Sequence, residues 1–250
     1  LCAQLAAEGF GKLAAAVGEN LGTPEQKVYT GTVGQLAASR FESLSVLLVE
    51  AAQVPSRRTQ GLPDEAFARG KVPMTKQEVR AAVLAKLGVQ PGELLWDVGA
   101  GTGSVSVELA LAAPRGRVYA VECDPEACAL IRQNKEKFAV RNLTLVEGTA
   151  PAALENLPAP DAVFIGGTKG NLAAVVEAAL ARNPAARICI SAIALETLSA
   201  AVAALTAHGL QAEVCQISVS RAKAAGKLHL LMANNPIFLI TRADEAEKRV

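Results

Sequence analysis

The sequence predicts an α/β fold: a mostly parallel sheet with helices on both faces and an antiparallel hairpin at one edge. Three observations predict it. From Leu94 onward, apolar strand patterns alternate with helical patterns at βαβ spacing. A turn carrying three glycines joins the first of these strands to the first helix. The last two strand patterns follow one another with no helix between them, which suits an antiparallel edge pair.

Taken in order, the strand Leu94–Val98 leads to a helix over Val105–Leu111, then to the strand Arg117–Glu122. A helix over Pro125–Phe138 follows, with Pro125 in the first turn, where its absent N–H costs nothing. The runs Leu143–Val146, Ala162–Ile165 and Ile188–Ile193 read as three more strands, with a helix over Asn171–Ala181 before the last. A helix over Leu195–Ala207 stops at Gly209, a left-handed cap. Gln211–Val219 and His229–Ile240 supply the closing strands. Upstream lie a helical pattern over Leu1–Phe10, a Gly-Thr-Pro turn at Gly22–Pro24, a polar turn at Thr30–Thr32 and one strong strand, Leu44–Val49. One strand without partners makes a poor independent domain. The basic, Pro- and Gly-containing stretch Val54–Pro63 reads as a linker.

Composition limits the function classes. Twenty-five Lys and Arg balance 24 Asp and Glu, for a net charge of +1 over 250 residues, so no global field holds a nucleic acid partner. Glu50, Lys86, Glu108 and Arg182 interrupt the apolar runs, so none spans a membrane. Five cysteines without a C-x-x-C pair suit buried thiols in a reducing, cytoplasmic setting, and no metal site is expected. The start at Leu1 is expected to mark a piece of a longer chain.

The most informative segment is Trp96-Asp-Val-Gly-Ala-Gly-Thr-Gly-Ser104. Glycines at 99, 101 and 103 let the backbone turn sharply and let a ligand approach. The dinucleotide fingerprint needs a further glycine where Ser104 stands. G-x-G-x-G instead resembles class I S-adenosylmethionine-dependent methyltransferases, a Rossmann-like fold. Glu122, at the end of the next strand, can accept hydrogen bonds from both ribose hydroxyls, although an acid there can also be simply solvated. Thr149 stands where that class commonly places an acid against adenine, with the Ala150 backbone as the other candidate. A plain turn reads equally well there.

A longer match surrounds this loop. Gly61–Arg80, Trp96–Ser106 and Val219–His229 resemble the decarboxylating precorrin methyltransferases of cobalamin biosynthesis. Gly31-Thr-Val-Gly-Gln-Leu36 and Phe41–Glu50 resemble the end of a tetrapyrrole methylase domain. The resemblance implies residues 1–53 as the tail of that carbon-5 methylating domain, catalytically empty alone, 54–63 as linker, and 64–250 as a class I methyltransferase domain. That domain would methylate carbon 15 of a precorrin and remove carbon dioxide from the ring C acetate. Thr75, Gly99, Ala100, Gly101, Thr102, Gly103, Glu122, Thr149 and Ala150 would hold S-adenosylmethionine. Thr75 also reads as a helix N-cap, with Glu78 completing a capping box. A homo-oligomer, a tetramer built partly from the edge hairpin, is expected from the same resemblance.

A tetrapyrrole edged with carboxylates calls for cations. Arg57, Arg58, Arg69, Lys71, Lys76 and Arg80 cluster before the sheet; Arg221, Lys223 and Lys227 lie between the closing strands. Lys71, Lys169, Arg221, Lys223 and Lys227 are the substrate candidates, with Lys169 in the loop Gly166–Gly170 at the carboxyl edge of the sheet. Each also reads as a solvated surface charge. His208 has a structural place at a helix end. His229 is the one acid-base candidate, and a partnered strand-end histidine is its plainer reading. Two competing functions remain. A class I enzyme for another small molecule, RNA or protein is one, although Phe164-Ile-Gly-Gly-Thr-Lys169 replaces the motif of base-amine methylation. The other is a non-catalytic cofactor-binding partner.

Overall fold

The computed structural model describes residues 1–50 and 60–242. The chain divides into two units, residues 1–57 and 58–250. Residues 54–59 of the expected linker, with Arg57 and Arg58, lie outside the described residues.

The first unit begins with helix α1 (Cys2–Leu5), which continues as a π turn over Ala6–Phe10. It then builds three strands where the sequence predicts one: β1 (Ala14–Glu19), β2 (Lys27–Thr32) and β3 (Ser45–Val49). The sheet is antiparallel, in the order β2-β1-β3. Thr30–Thr32 is therefore strand, not turn. Thr32 then caps the short helix α2 (Val33–Leu36) by accepting the Gln35 N–H at 3.2 Å, while the Gln35 side chain accepts the Thr32 N–H at 2.8 Å. Cys2, Ala15, Val17, Val33 and Leu36 form its core.

The second unit holds a seven-stranded sheet. Helix α3 (Gln77–Leu87) precedes β4 (Leu94–Val98), α4 (Ser104–Ala112), β5 (Arg117–Glu122), α5 (Pro125–Lys137) and β6 (Leu143–Glu147). Then come β7 (Ala162–Ile165), α6 (Leu172–Arg182), β8 (Arg187–Ala192), α7 (Leu195–Ala207) and β9 (Ala212–Ile217). The hairpin β10 (Ser220–Ala225) and β11 (Leu228–Ala233) precedes β12 (Ile237–Arg242). The sheet order is β6-β5-β4-β7-β8-β12-β9, with β12 antiparallel to both its neighbours and the pairs from β6 to β8 parallel.

Successive residues of β4 point to opposite faces. Leu95 joins a core packed by α3, α4 and α5, and Trp96 joins one packed by α6 and α7. The closing strands differ from expectation: Ser220–Ala225, expected to lie between them, is itself a strand. His229–Ile240 is two strands, not one, because Pro236 has no N–H to give a ladder. The β10–β11 hairpin forms its own two-stranded sheet, and β12 returns to the large sheet beside β8. Because neighbouring β4 and β7 lead to opposite sides, a crevice opens at their carboxyl ends, the place where open α/β sheets bind ligands.

Candidate active site

A cavity of about 1000 Å³ occupies that crevice. One wall is the turn after β4, whose left-handed glycines only a residue without Cβ adopts freely. At Gly99 (φ 72°) a Cβ would stand 2.2 Å from the Gly167 carbonyl oxygen, so the turn abuts the loop after β7. At Gly101 (φ 56°) it would stand 3.2 Å from the Pro73 carbonyl oxygen. Gly99, Ala100, Gly101 and Thr102 line the cavity. Gly103 does not; it lies behind the wall, against Ile131.

Glu122 ends β5 on the cavity floor and is 9% exposed. Its Oε2 accepts the Gly101 N–H at 2.8 Å, and its Oε1 accepts the Cys123 and Asp124 N–H groups at 2.8 and 2.9 Å. Three backbone donors therefore fix the carboxylate in one orientation and tie it to the glycine turn. Oε2 keeps acceptor capacity for a ligand hydroxyl. Thr149 and Ala150 line the cavity after β6, Thr149 exposed and Ala150 buried. Asp97 is fully buried beneath the turn, and burial pushes its carboxyl up to about 7. The Ser106 hydroxyl donates to its Oδ2, while Oδ1 has no partner among the described residues.

Adjoining the turn at Gly101 is a strap, residues 61–76, that leads into α3 and lines the cavity from Lys71 to Lys76. Thr75 lines the cavity but does not cap α3; the N-cap is Lys76, without a side-chain bond. The first helical amide, Gln77 N–H, instead donates to Asp64 Oδ1 at 2.9 Å, a cap supplied from a distant turn. Glu78 completes no capping box; it pairs with Arg221 at 2.7 Å, which holds its carboxyl below the usual range. Arg80 is no pocket cation either. It is fully buried, bonded to Asp64 and Glu108 at 2.8 Å each and donating to the Leu62 and Thr75 carbonyls.

Of the substrate candidates, Lys71 and Lys169 line the cavity, as does Lys76. Lys169 takes a left-handed backbone (φ 50°), and the Cys123 thiol beside its ammonium raises its pKa. Arg221, Lys223 and Lys227 do not line it. Arg221 is committed to Glu78 and Asp64, and the others sit on the hairpin. His229 lies exposed on β11, away from the cavity, so the structure gives it no acid-base place there. His208 ends α7, as expected. Sequence reasoning missed Asn234 and Asn235, which line the cavity, and Asn134, which bonds the glycine turn at the Thr102 carbonyl. The local signal for Asn134 was only that it is a polar residue on the inward stripe that Ala127, Leu130 and Ile131 define; its partners, 66 and 32 residues away, left none.

Comparison with known proteins settles the family. A family model described as "Precorrin methyltransferase domain" matches residues 65–242. The chain belongs to the precorrin methyltransferase family. A Pyrobaculum calidifontis relative described as a probable cobalt-precorrin-6B C(15)-methyltransferase (decarboxylating) is 47% identical over 186 residues, covering 73% of this chain and 95% of its own. A Sinorhizobium precorrin-6Y C(5,15)-methyltransferase (decarboxylating) is 40% identical over 179 residues, which are 70% of this chain and 43% of that longer protein. The crystal structure of a Geobacter metallireducens precorrin-6y C5,15-methyltransferase superposes with a TM-score of 0.71 at 41% identity, covering 75% of this chain and 97% of that one. The fold is that of class I S-adenosylmethionine-dependent methyltransferases, so this precorrin methyltransferase has the architecture its glycine turn predicts. Among the described residues, no helix is long and apolar enough to cross a membrane.

Proposed function

We propose that the second unit methylates carbon 15 of a precorrin macrocycle and releases carbon dioxide from the acetate on ring C, with S-adenosylmethionine as donor. The observation that carries this reading is the joining, in one cavity of a precorrin methyltransferase, of the glycine turn, the triply anchored Glu122 and three lysines. A cavity of about 1000 Å³ has room for the cofactor and the reacting edge of a macrocycle together.

The residues fit the cofactor. Glu122 would receive the ribose hydroxyls, the turn Gly99–Thr102 would lie along the ribose and methionine portions, and Thr149 with Ala150 would flank the adenine. When bound, S-adenosylmethionine supplies an electrophilic methyl group. The chain aligns the acceptor carbon with it and keeps water out, the tasks that in-line transfer leaves to the protein. Lys71, Lys76 and Lys169 at the rim would hold substrate carboxylates as point charges. Loss of the ring C carboxylate is favoured by a different setting, because apolar surroundings disfavour its charge. Val72, Ile193 and Ile217 supply such surface in the same cavity. As its carbon–carboxyl bond breaks, the electron pair passes into the conjugated macrocycle.

The β10–β11 hairpin supports the reading of a homo-oligomer, since Leu228, Leu230, Leu231 and Met232 are all exposed on it. For residues 1–53 the reading remains the tail of a tetrapyrrole methylase domain. The motifs Gly31–Leu36 and Phe41–Glu50 support it, as does the greater length of the Sinorhizobium relative. The DNA upstream of the Leu1 codon tests that part. Calorimetric titration with S-adenosylhomocysteine tests the cavity: one site per chain, lost in Gly101→Arg, is expected. Equal binding by that variant would place the cofactor elsewhere.

A further inference from the structure

We propose that Asn134 is a positioning residue that rivets the strap to the glycine turn and so fixes the part of the cofactor cavity that these two adjoining segments build. This rests on the reading of that cavity as the S-adenosylmethionine site. Asn134 is fully buried on α5, where the helix presents Ala127, Leu130 and Ile131 to the core and an apolar residue would pack at no polar cost. Its amide is instead spent on two loops. Oδ1 accepts the Ala68 N–H at 2.7 Å, and Nδ2 donates to the Ala68 carbonyl at 3.0 Å and to the Thr102 carbonyl at 2.9 Å. Both amide protons are thereby used, and each partner is main chain.

The partners belong to two segments that line the cavity. Ala68 is in the strap, whose residues Lys71–Lys76 line it; Thr102 ends the stretch Gly99–Thr102, which lines it too. Asn134 itself does not line the cavity. Glu126 also ties the strap to α5, through the Lys71 N–H at 3.2 Å, but that bond reaches no part of the turn. Glu108 holds Gly61 and Leu62, and Arg80 holds Leu62 and Thr75, but at Ala68 it is Asn134 that ties the strap to the turn before a ligand enters. Without it the middle of the strap around Ala68 must be ordered during binding, and that cost appears as weaker cofactor affinity. It does not appear in the chemical step once cofactor is bound.

Two variants separate the contributions. Asn134→Asp keeps the size and the acceptor for Ala68 but turns both donors into acceptors facing carbonyls. Asn134→Ser removes the reach without adding charge. Asn142→Ser is the control, because Asn142 donates to the Ala110 and Ala113 carbonyls, away from the strap. The readings are the S-adenosylhomocysteine Kd, the cofactor KM and kcat with precorrin, and the thermal midpoint of the free protein. We expect the cofactor Kd and KM to rise about tenfold or more in both Asn134 variants, with kcat at saturating cofactor retained. Asn142→Ser should lower only the midpoint. Asn134→Ser lowering the midpoint like the control, at unchanged Kd, would overturn the inference. Hydrogen exchange of the wild type adds a test that needs no variant: the Ala68 amide should be protected before cofactor is added. Protection that appears only with cofactor would also overturn it. A wild type that binds no S-adenosylhomocysteine would instead overturn the reading of the cavity, whereas equal binding by wild type and variants removes the positioning role alone.

Discussion

Replacing Glu122 by Gln exchanges one carboxylate oxygen for an NH2 group and disturbs every function assigned to this carboxylate. In the wild type, three backbone N–H groups converge on it, two at Oε1 and one at Oε2. An amide has one acceptor oxygen. With that oxygen at the Oε1 position, the Cys123 and Asp124 bonds survive as neutral bonds, and an NH2 group faces the Gly101 N–H. That N–H then lacks an acceptor in a half-buried site, which costs about 1–3 kcal/mol of stability. The cofactor loses more specifically. A hydroxyl bound by a carboxylate exchanges a charge-assisted bond for a neutral one or none, worth about 2 kcal/mol, or about thirtyfold in Kd. Calorimetric titration with S-adenosylhomocysteine reads the affinity, and urea unfolding reads the stability. A Kd within about threefold of wild type would refute the assignment of Glu122 to the ribose.

Asp97 predicts a pH dependence. Its carboxyl titrates near 7 in the folded protein against about 4 when unfolded, because burial disfavours its charge. The folded state therefore holds the proton more tightly, and Asp97's contribution is complete below about pH 4 and lost as pH rises to about 7. Its size is about 4 kcal/mol at most; Asp97→Asn should flatten the wild-type fall in unfolding free energy over that window, and parallel curves would contradict it. Lys169→Met should raise the precorrin KM about fivefold, more at low salt, and leave the S-adenosylhomocysteine Kd unchanged. Steady-state kinetics check this, and an unchanged KM would remove Lys169 from the substrate site. Leu231→Asp, at a position 74% exposed, should shift the assembly toward monomer in light scattering. An unchanged mass would free the hairpin from that role.

Legibility in the sequence followed the range of the causes. The turn after β4 was readable because three glycines and the flanking strand act within ten residues. β5 was readable because its apolar run is continuous in a strand buried on both faces. β1 was not, since Ala14-Ala-Ala-Val-Gly-Glu19 has little strand preference of its own and is made a strand by β2 and β3 on either side. Thr75 and Glu78 have the local spacing of a capping box, yet Asp64 and Arg221 outbid it from elsewhere in the chain. The same distance hid Arg80 and Asn134. Arg80 looked like one more surface cation until Glu108, Asp64 and two carbonyls surrounded it. Asn134 bonds main chain 66 residues away, which no local pattern announces.

The claim that the cavity couples methylation to decarboxylation is tested most directly by product mass. The protein is incubated with S-adenosylmethionine and the reduced precorrin, and the macrocycle is weighed by mass spectrometry. The account predicts a product that has gained one methyl group and lost one carbon dioxide. A methyl gained without that loss, or an unchanged macrocycle beside demonstrably bound cofactor, would contradict it.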